Sequence, residues 1–230
     1  MVTLNCDALS VRDVNQTLRL LPSGASCLVT NPMGRHNLVV GLTEELDVTV
    51  AGNAGYFVGG LGGRGDGTGP TITVDGFVGW SVGENLMGGA IRVCGSASQS
   101  AGSSARGGMI MVEGSASLRA GISLKGATLA VAGDVGPMTG FMAQSGTILV
   151  GGNAGHGLGD SLYEAVIYVA GTISTLGADA IVEELVDDDV LAVKRLVEAT
   201  GFDHIDPAQV TKVVSARGLY HFSAEHSGSY

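Results

Sequence analysis

Along most of the chain, apolar residues alternate with polar or small ones over five residues, and the pattern then returns 19 residues later. Ile72, Ile91, Ile110, Leu129, Ile148 and Ile167, preceded by Val48, form one row. Two residues on, Val74, Val93, Val112, Val131, Val150 and Val169, preceded by Val50, form a second. Each Val is followed, again two residues on, by a glycine: Gly52, Gly76, Gly95, Gly114, Gly133, Gly152 and Gly171. The last six are spaced by 19 residues, whereas Gly52 lies 24 before Gly76, which puts the extra residues in the loop Gly59–Gly69. Alternation with period two predicts a strand with one buried face, and β-branched residues at the buried positions agree with it. One short strand per period cannot bury its own face, so the copies must stack. Parallel crossovers are overwhelmingly right-handed. The expected fold is therefore all-β: a right-handed parallel β-helix with 19-residue turns, its seven turns separated by six spacings of roughly 4.8 Å, or roughly 29 Å in all.

A second glycine follows seven residues after the first, at Gly59, Gly83, Gly102, Gly121, Gly140 and Gly159. Two corners per turn fit, each needing either φ > 0 or a close backbone approach. Between them stand small apolar residues (Ala54, Val78, Ala97, Ala116, Val135 and Ala154), so the expected core is narrow, with little room for a ligand. The flanks break the pattern. Ser10 with Asp13 three residues on predicts a capped helix over Val11–Leu21. Residues 34–47 fit an extra, irregular turn. After Gly177 the expectation is helical: Ala180–Val186, then Asp189–Thr200 ending at Gly201, then a short helix from Pro207 to about Ala216 before Gly218. The organisation read from this is a helical cap at 1–33, the coil at 34–178 and a helical tail at 179–230. Helices at both ends would cover the open edges of such a coil.

Composition narrows the function. Glycine is 38 of 230 residues, yet proline is only 5 and hydrophobic residues are 45%, which suits a folded coil rather than disorder. The net charge of −10 leaves no basic stripe, so no nucleic acid is expected as partner. No 18-residue apolar run and no signal-peptide pattern occur, so no membrane is expected either and the expected location is cytoplasmic. Cys6, Cys27 and Cys94 are far apart and unpaired by spacing. His36, His156, His204, His221 and His226 are scattered without zinc-ligand spacing. Gly60, Gly62 and Gly65 spell GxGxxG, but a strand rather than a helix is expected to follow, against a dinucleotide fingerprint. The Arg64-Gly65-Asp66 tripeptide and the Asn15-Gln16-Thr17 sequon carry no weight without a secreted context. The acids Glu183, Glu184, Asp187, Asp188 and Asp189 read first as a solvated face, second as a docking surface for a basic partner. No catalytic, cofactor-binding or metal-binding residue is expected in this chain.

Two polar strings interrupt the repeat: Arg35-His36-Asn37 before the coil, and Gly159-Asp160-Ser161-Leu162-Tyr163-Glu164 in its last loop. The second string reads either as a partner contact or as simple loop capping by Asp160 and Ser161. The residues Arg35, His36, Asn37, Asp160, Tyr163 and Glu164 are the candidate partner interface.

The I-x-V-x-G and GxxGxxxG rhythm over residues 34–178 resembles the C-terminal GXGXG β-helix domain of the glutamate synthase large subunit. The same domain occurs in formylmethanofuran dehydrogenase, in one of its smaller subunits. Gly34-Arg35-His36-Asn37, the GDSLYE string, Leu176-Gly177-Ala178-Asp179-Ala180 and the expected helical tail make the chain most similar to the stand-alone β-helix subunit of N-methylglutamate synthases. That resemblance implies a scaffold in a complex forming N-methylglutamate from glutamate and methylamine with release of ammonia. The implied partners are a glutamine amidotransferase-like subunit together with an FMN-binding, glutamate synthase-like one. FMN, and an iron–sulfur cluster if one is present, would reside in a partner. The alternative is the β-helix subunit of another amidotransferase-like or formylmethanofuran dehydrogenase-like complex. A free-standing polysaccharide-lyase type of β-helix would need a cleft with acids, bases and aromatics that the pattern does not supply.

Overall fold

The computed structural model describes residues 1–217. The chain begins with β1 (Val2–Asn5), α1 (Val11–Arg19), β2 (Ser26–Thr30), β3 (Asp47–Ala51) and β4 (Gly67–Val74). It continues with β5 (Gly88–Val93), β6 (Met109–Val112), β7 (Lys125–Val131), β8 (Ser145–Val150) and β9 (Val166–Val169). It closes with β10 (Ala180–Glu183), α2 (Asp187–Thr200) and β11 (Thr211–Ser215). All eleven strands belong to one sheet, with β1 to β9 in chain order and then β11 followed by β10.

The strands from β1 to β9 pair in parallel, each with the next, as a β-solenoid requires. The register is the one the repeat dictates: Ile72 opposes Ile91, Ile91 opposes Ile110, and Val93 opposes Val112. Both rows, Val48 to Ile167 and Val50 to Val169, are completely buried. A second ladder of single bridges joins Ala54, Val78, Ala97, Ala116, Val135, Ala154 and Ile173 from turn to turn. The five additional residues after Gly59 form a protruding tip. There Gly67 N–H donates to the Arg64 carbonyl, and the β4–β5 register slips between Gly67 and Thr71.

The two glycine rows serve different purposes. The second row is left-handed throughout, with φ between +67° and +74° from Gly59 to Gly159. In the first row only Gly52 has positive φ. Elsewhere the constraint is proximity: a Cβ at Gly95 would stand 2.8 Å from both the carbonyl carbon and oxygen of Gly76 in the turn before. No side chain fits there at the observed spacing.

The ends depart from expectation. Residues 1–33 contain the expected helix, two residues shorter, with the Ser10–Asp13 capping box in place. They also contain β1 and β2, so the coil's sheet starts at Val2 rather than after residue 33. Helix α1 fills the crossover from β1 to β2. Its Asn15 donates to the Asn37 carbonyl (2.7 Å) and its Arg19 to the Val40 carbonyl (2.7 Å), seating it on the next turn.

At the other end, the helix expected at Ala180–Val186 is strand β10, and the one expected from Pro207 to Ala216 is strand β11 preceded by turns. β11 pairs antiparallel with β9 and with β10, so strands close this end. Burial on two sides explains it: Val213 packs into the coil's core, while Val210, just before β11, joins the separate apolar cluster that includes Val193 of α2. A sheet edge supplied by β9 decided between strand and a short helix with little apolar face of its own. Gly218 and the rest of the tail lie outside the described residues. Helix α2 starts two residues before the expected Asp189 and ends at Gly201, which takes the left-handed C-cap (φ 76°).

Replacing Val112 with Asp should place a charge between two stacked valines and cost at least about 3 kcal/mol, leaving the chain insoluble or unfolded. Gly95→Ala should lower stability by roughly 1–3 kcal/mol because two backbones must separate. Gly65→Ala, where a Cβ meets nothing within 4 Å, should leave thermal melting unchanged or slightly raised. Circular dichroism melts of the three variants check these outcomes together.

Candidate interaction surfaces

The first polar string sits on the turn carrying β2. Arg35 donates weakly to the Leu9 carbonyl (3.4 Å), and the Asn37 carbonyl accepts from Asn15, so both hold the N-terminal cap. His36 is exposed, and its Nδ1 accepts the Tyr56 N–H (2.9 Å). Its ring stacks on Tyr56 at 4.2 Å, and Tyr56 stacks on Trp80 at 5.0 Å, with interplanar angles of 20° and 14°. Stacking follows from the coil, because equivalent positions lie one above another. The spacing of 20 and then 24 residues carries this strip in the sequence, neither of them the 19-residue period that marks the Ile, Val and Gly rows.

The second string divides into cap and surface. Asp160 accepts the Ser161 hydroxyl (2.9 Å) and the Ala178 N–H (3.1 Å), so these two residues close the last turn. Tyr163 and Glu164 are exposed, and their backbone N–H groups are bonded to Ala143 and Gln144 (both 2.9 Å). Their side chains hold nothing in place. The two strings do not come together. Backbone hydrogen bonds link the His36 level through Tyr56, Trp80, Gln99, Leu118 and Pro137 to His156, six steps, or roughly 29 Å.

A third surface was not expected. The outward residue of each strand is polar early in the coil, as at Thr49, Thr73 and Arg92, but apolar from β6 onward: Met111, Ala130, Leu149 and Tyr168. Helix α2 and the loop after it lie on this row, with Val193, Phe202, Ile205 and Val210 completing a second apolar cluster. The 19-residue spacing of those four outward residues is visible in the sequence. Arg92 pins the far end of α2 by donating to the Thr200 carbonyl (2.9 Å) and to Glu113 (2.7 Å), and His204 Nε2 lies 3.0 Å from the Ala132 carbonyl. Between them is a shallow hollow of about 280 Å³ lined by Arg92, Glu113, Thr200, Phe202 and His204.

The acidic string is not uniformly solvated. Asp189 is buried and accepts the Tyr168 hydroxyl (2.6 Å), Lys212 Nζ (2.9 Å) and the Val186 N–H (3.1 Å). Val186 cannot cap α2 with its own side chain, so Asp189 reaches back to do it. Burial opposes the Asp189 charge, but these three hydrogen bonds outweigh it and hold the carboxyl below its usual range. The Glu183 hydrogen bond holds Lys212 above its ordinary value against the cost of burial, with Asp189 adding to it. Burial, and then Asp189, push Tyr168 up strongly.

Among the described residues, reactive chemistry is not concentrated anywhere. Burial raises the Cys6 and Cys27 thiols, and partial burial followed by Glu113 and Asp75 raises Cys94. Thiols shifted upward are poor nucleophiles at neutral pH. Among the described residues no group of three His, Cys, Asp or Glu side chains could hold a metal ion, and every buried side-chain polar atom has a partner. The GxGxxG stretch leads into β4, not a helix, and Gly63 packs directly on Gly88. His221 and His226 lie outside the described residues. Among the described residues no helix is long and apolar enough to cross a membrane.

Comparison with known proteins gives one relationship that spans the molecule. Protein GlxC of Rhizobium meliloti (strain 1021) is 44% identical over 233 residues, covering 100% of both chains. The chain belongs to the GlxC family. The match includes the N-terminal cap and the tail as well as the coil, so the family pattern is not confined to the repeat. No protein-family model matches the chain, and no solved structure matches it.

The Tyr168–Asp189–Lys212 cluster gives a pH dependence with two limits. Asp189 is lowered, so its contribution is present above about pH 4 and is lost as pH falls below that. Lys212 and Tyr168 are raised, so theirs is present below about pH 10 and is lost as pH rises further. Tyr168→Phe should lose about 1–2 kcal/mol at neutral pH and flatten the alkaline limb of a melting-temperature profile. An unchanged profile would show that the cluster does not hold α2 to the wall.

Proposed function

We propose that the chain is the non-catalytic scaffold of an N-methylglutamate synthase. In this reading it holds two partners at a fixed separation, one glutamine amidotransferase-like and the other FMN-binding and glutamate synthase-like. The complex forms N-methylglutamate from glutamate and methylamine and releases ammonia. FMN, and any iron–sulfur cluster, belong to the partners.

The observation that carries the reading is the stacked coil itself. Nine parallel strands in register form a wall whose interior is filled with Ile, Val, Leu and Ala. Such a wall is rigid because each backbone is bonded to the turns on both sides, and it can keep two domains a set distance apart. The repeat that builds it is the same I-x-V-x-G rhythm that resembles the glutamate synthase β-helix domain. Polar departures from the rhythm supply docking points: His36 at one end and Tyr163 and Glu164 toward the other.

The purified chain should be colourless and inactive. Mixing it with the amidotransferase-like and FMN-binding partners should yield a flavin-containing complex that converts glutamate and methylamine. A flavin band that stays with the isolated chain through gel filtration would refute the assignment of FMN to a partner. A complex that assembles but uses a different nitrogen donor would move the chain to another amidotransferase-like assembly. Combining Tyr163→Ala with Glu164→Ala should leave the isolated chain's melting unchanged, since neither side chain is bonded within the fold. It should weaken assembly about ten-fold, as measured by titration of the complex.

A further inference from the structure

We propose that β10 is a docking edge that accepts an extended, basic segment of a partner protein as a twelfth strand. This goes beyond the scaffold reading, because it needs only the geometry and charge of the edge. Among the described residues β10 is the last strand of the sheet, paired on one side to β11. The Asp179 carbonyl accepts the Ala216 N–H (2.7 Å), which fixes the phase of the antiparallel ladder. Bonded pairs then fall at Ile181 with Val214 and at Glu183 with Lys212. The N–H and C=O of Val182 and the C=O of Ala180 therefore face the open side.

The side chains along this edge are equally open. Ile181 is 42% and Val182 56% exposed, and in a strand they point to opposite faces. β10 is short and carries one charge, Glu183, but it has no proline, lysine or bulge to block pairing along Ile181 and Val182. Strand addition uses main-chain hydrogen bonds for affinity and alternate side chains for specificity, and this edge offers both.

Charge selects the occupant. Asp179 and Glu183 are paired with Arg217 and Lys212. Glu184, Asp187 and Asp188, which follow β10 directly and are exposed, enter none of the ion pairs among the described residues. A second copy of this chain would bring the same three carboxylates against them. A segment alternating Lys or Arg with Val, Ile or Thr would neutralise them while its apolar residues cover Ile181 or Val182.

The probe is a ten-residue peptide alternating Lys with Val or Thr, added to the full chain labelled for amide exchange. Binding should slow exchange of the Val182 N–H at least about ten-fold and should weaken as salt is raised. Val182→Pro removes the outward N–H without touching the bonds to β11, and should weaken binding about ten-fold. Glu184→Lys combined with Asp187→Lys should do the same through charge, and this variant decides the matter if Val182→Pro does not fold. Equal binding of a peptide with proline at alternate positions would overturn the proposal. So would a Val182 amide already protected in the free chain at low concentration, which would mean that the chain's own tail or a second copy occupies the edge. A dimer in sedimentation that Ile181→Lys disperses would likewise assign the edge to self-association.

Discussion

The constraint on which the structure depends is the fixed spacing between neighbouring turns. Parallel strands in a ladder lie roughly 4.8 Å apart, and the whole chain must honour that distance at every corner as well as along the strands. From Gly76 onward, the first glycine of each period lies so near the previous turn that a Cβ cannot be fitted without displacing it, as at Gly95 against Gly76. At the second, the chain turns with φ near +70°. Two different physical demands thus select the same residue, and both recur because the spacing recurs.

The same spacing makes rows. A residue type repeated at one position becomes a continuous stripe on the assembled wall. Inward rows of Ile and Val become the core. The outward row ending in Met111, Ala130, Leu149 and Tyr168 becomes the bed for α2. The row at His36, Tyr56 and Trp80 becomes an exposed aromatic strip. A fold of this kind presents surfaces by row rather than by pocket.

The two ends are finished differently. At the start a helix fills the first crossover and is tied down by Asn15 and Arg19. At the finish the chain reverses, and an antiparallel pair extends the sheet while α2 folds back along the wall. Asp189 joins these elements by capping α2, accepting from Tyr168 on β9 and pairing with Lys212 on β11. Two of its three donors, Tyr168 and Lys212, come from the wall, so a different docking of α2 would cost it both.

What the sequence determined by itself was everything that repeats: strand positions, register, inward rows, glycine corners and the insertion after Gly59. Each follows from local periodicity, since a residue 19 positions on must occupy the same place one turn up. The capped helix α1 and the C-terminal end of α2 were also legible, because Ser10 with Asp13 and Gly201 act within one turn of helix. The polar strings stood out from the repeat, but their local roles did not: Tyr163 and Glu164 are exposed, while Arg35, Asn37 and Asp160 bond to neighbouring segments of the chain. Only the tertiary structure decided the rest. Residues 180–186 and 207–216 are short and ambiguous between helix and strand; the edge of β9 drew Thr211–Ser215 into strand β11, and β11 in turn paired with Ala180–Glu183. The burial of Asp189 within an acidic string, and the stacking of His36 on Tyr56, likewise depend on neighbours distant in sequence. Local pattern cannot encode what a residue meets when the chain returns.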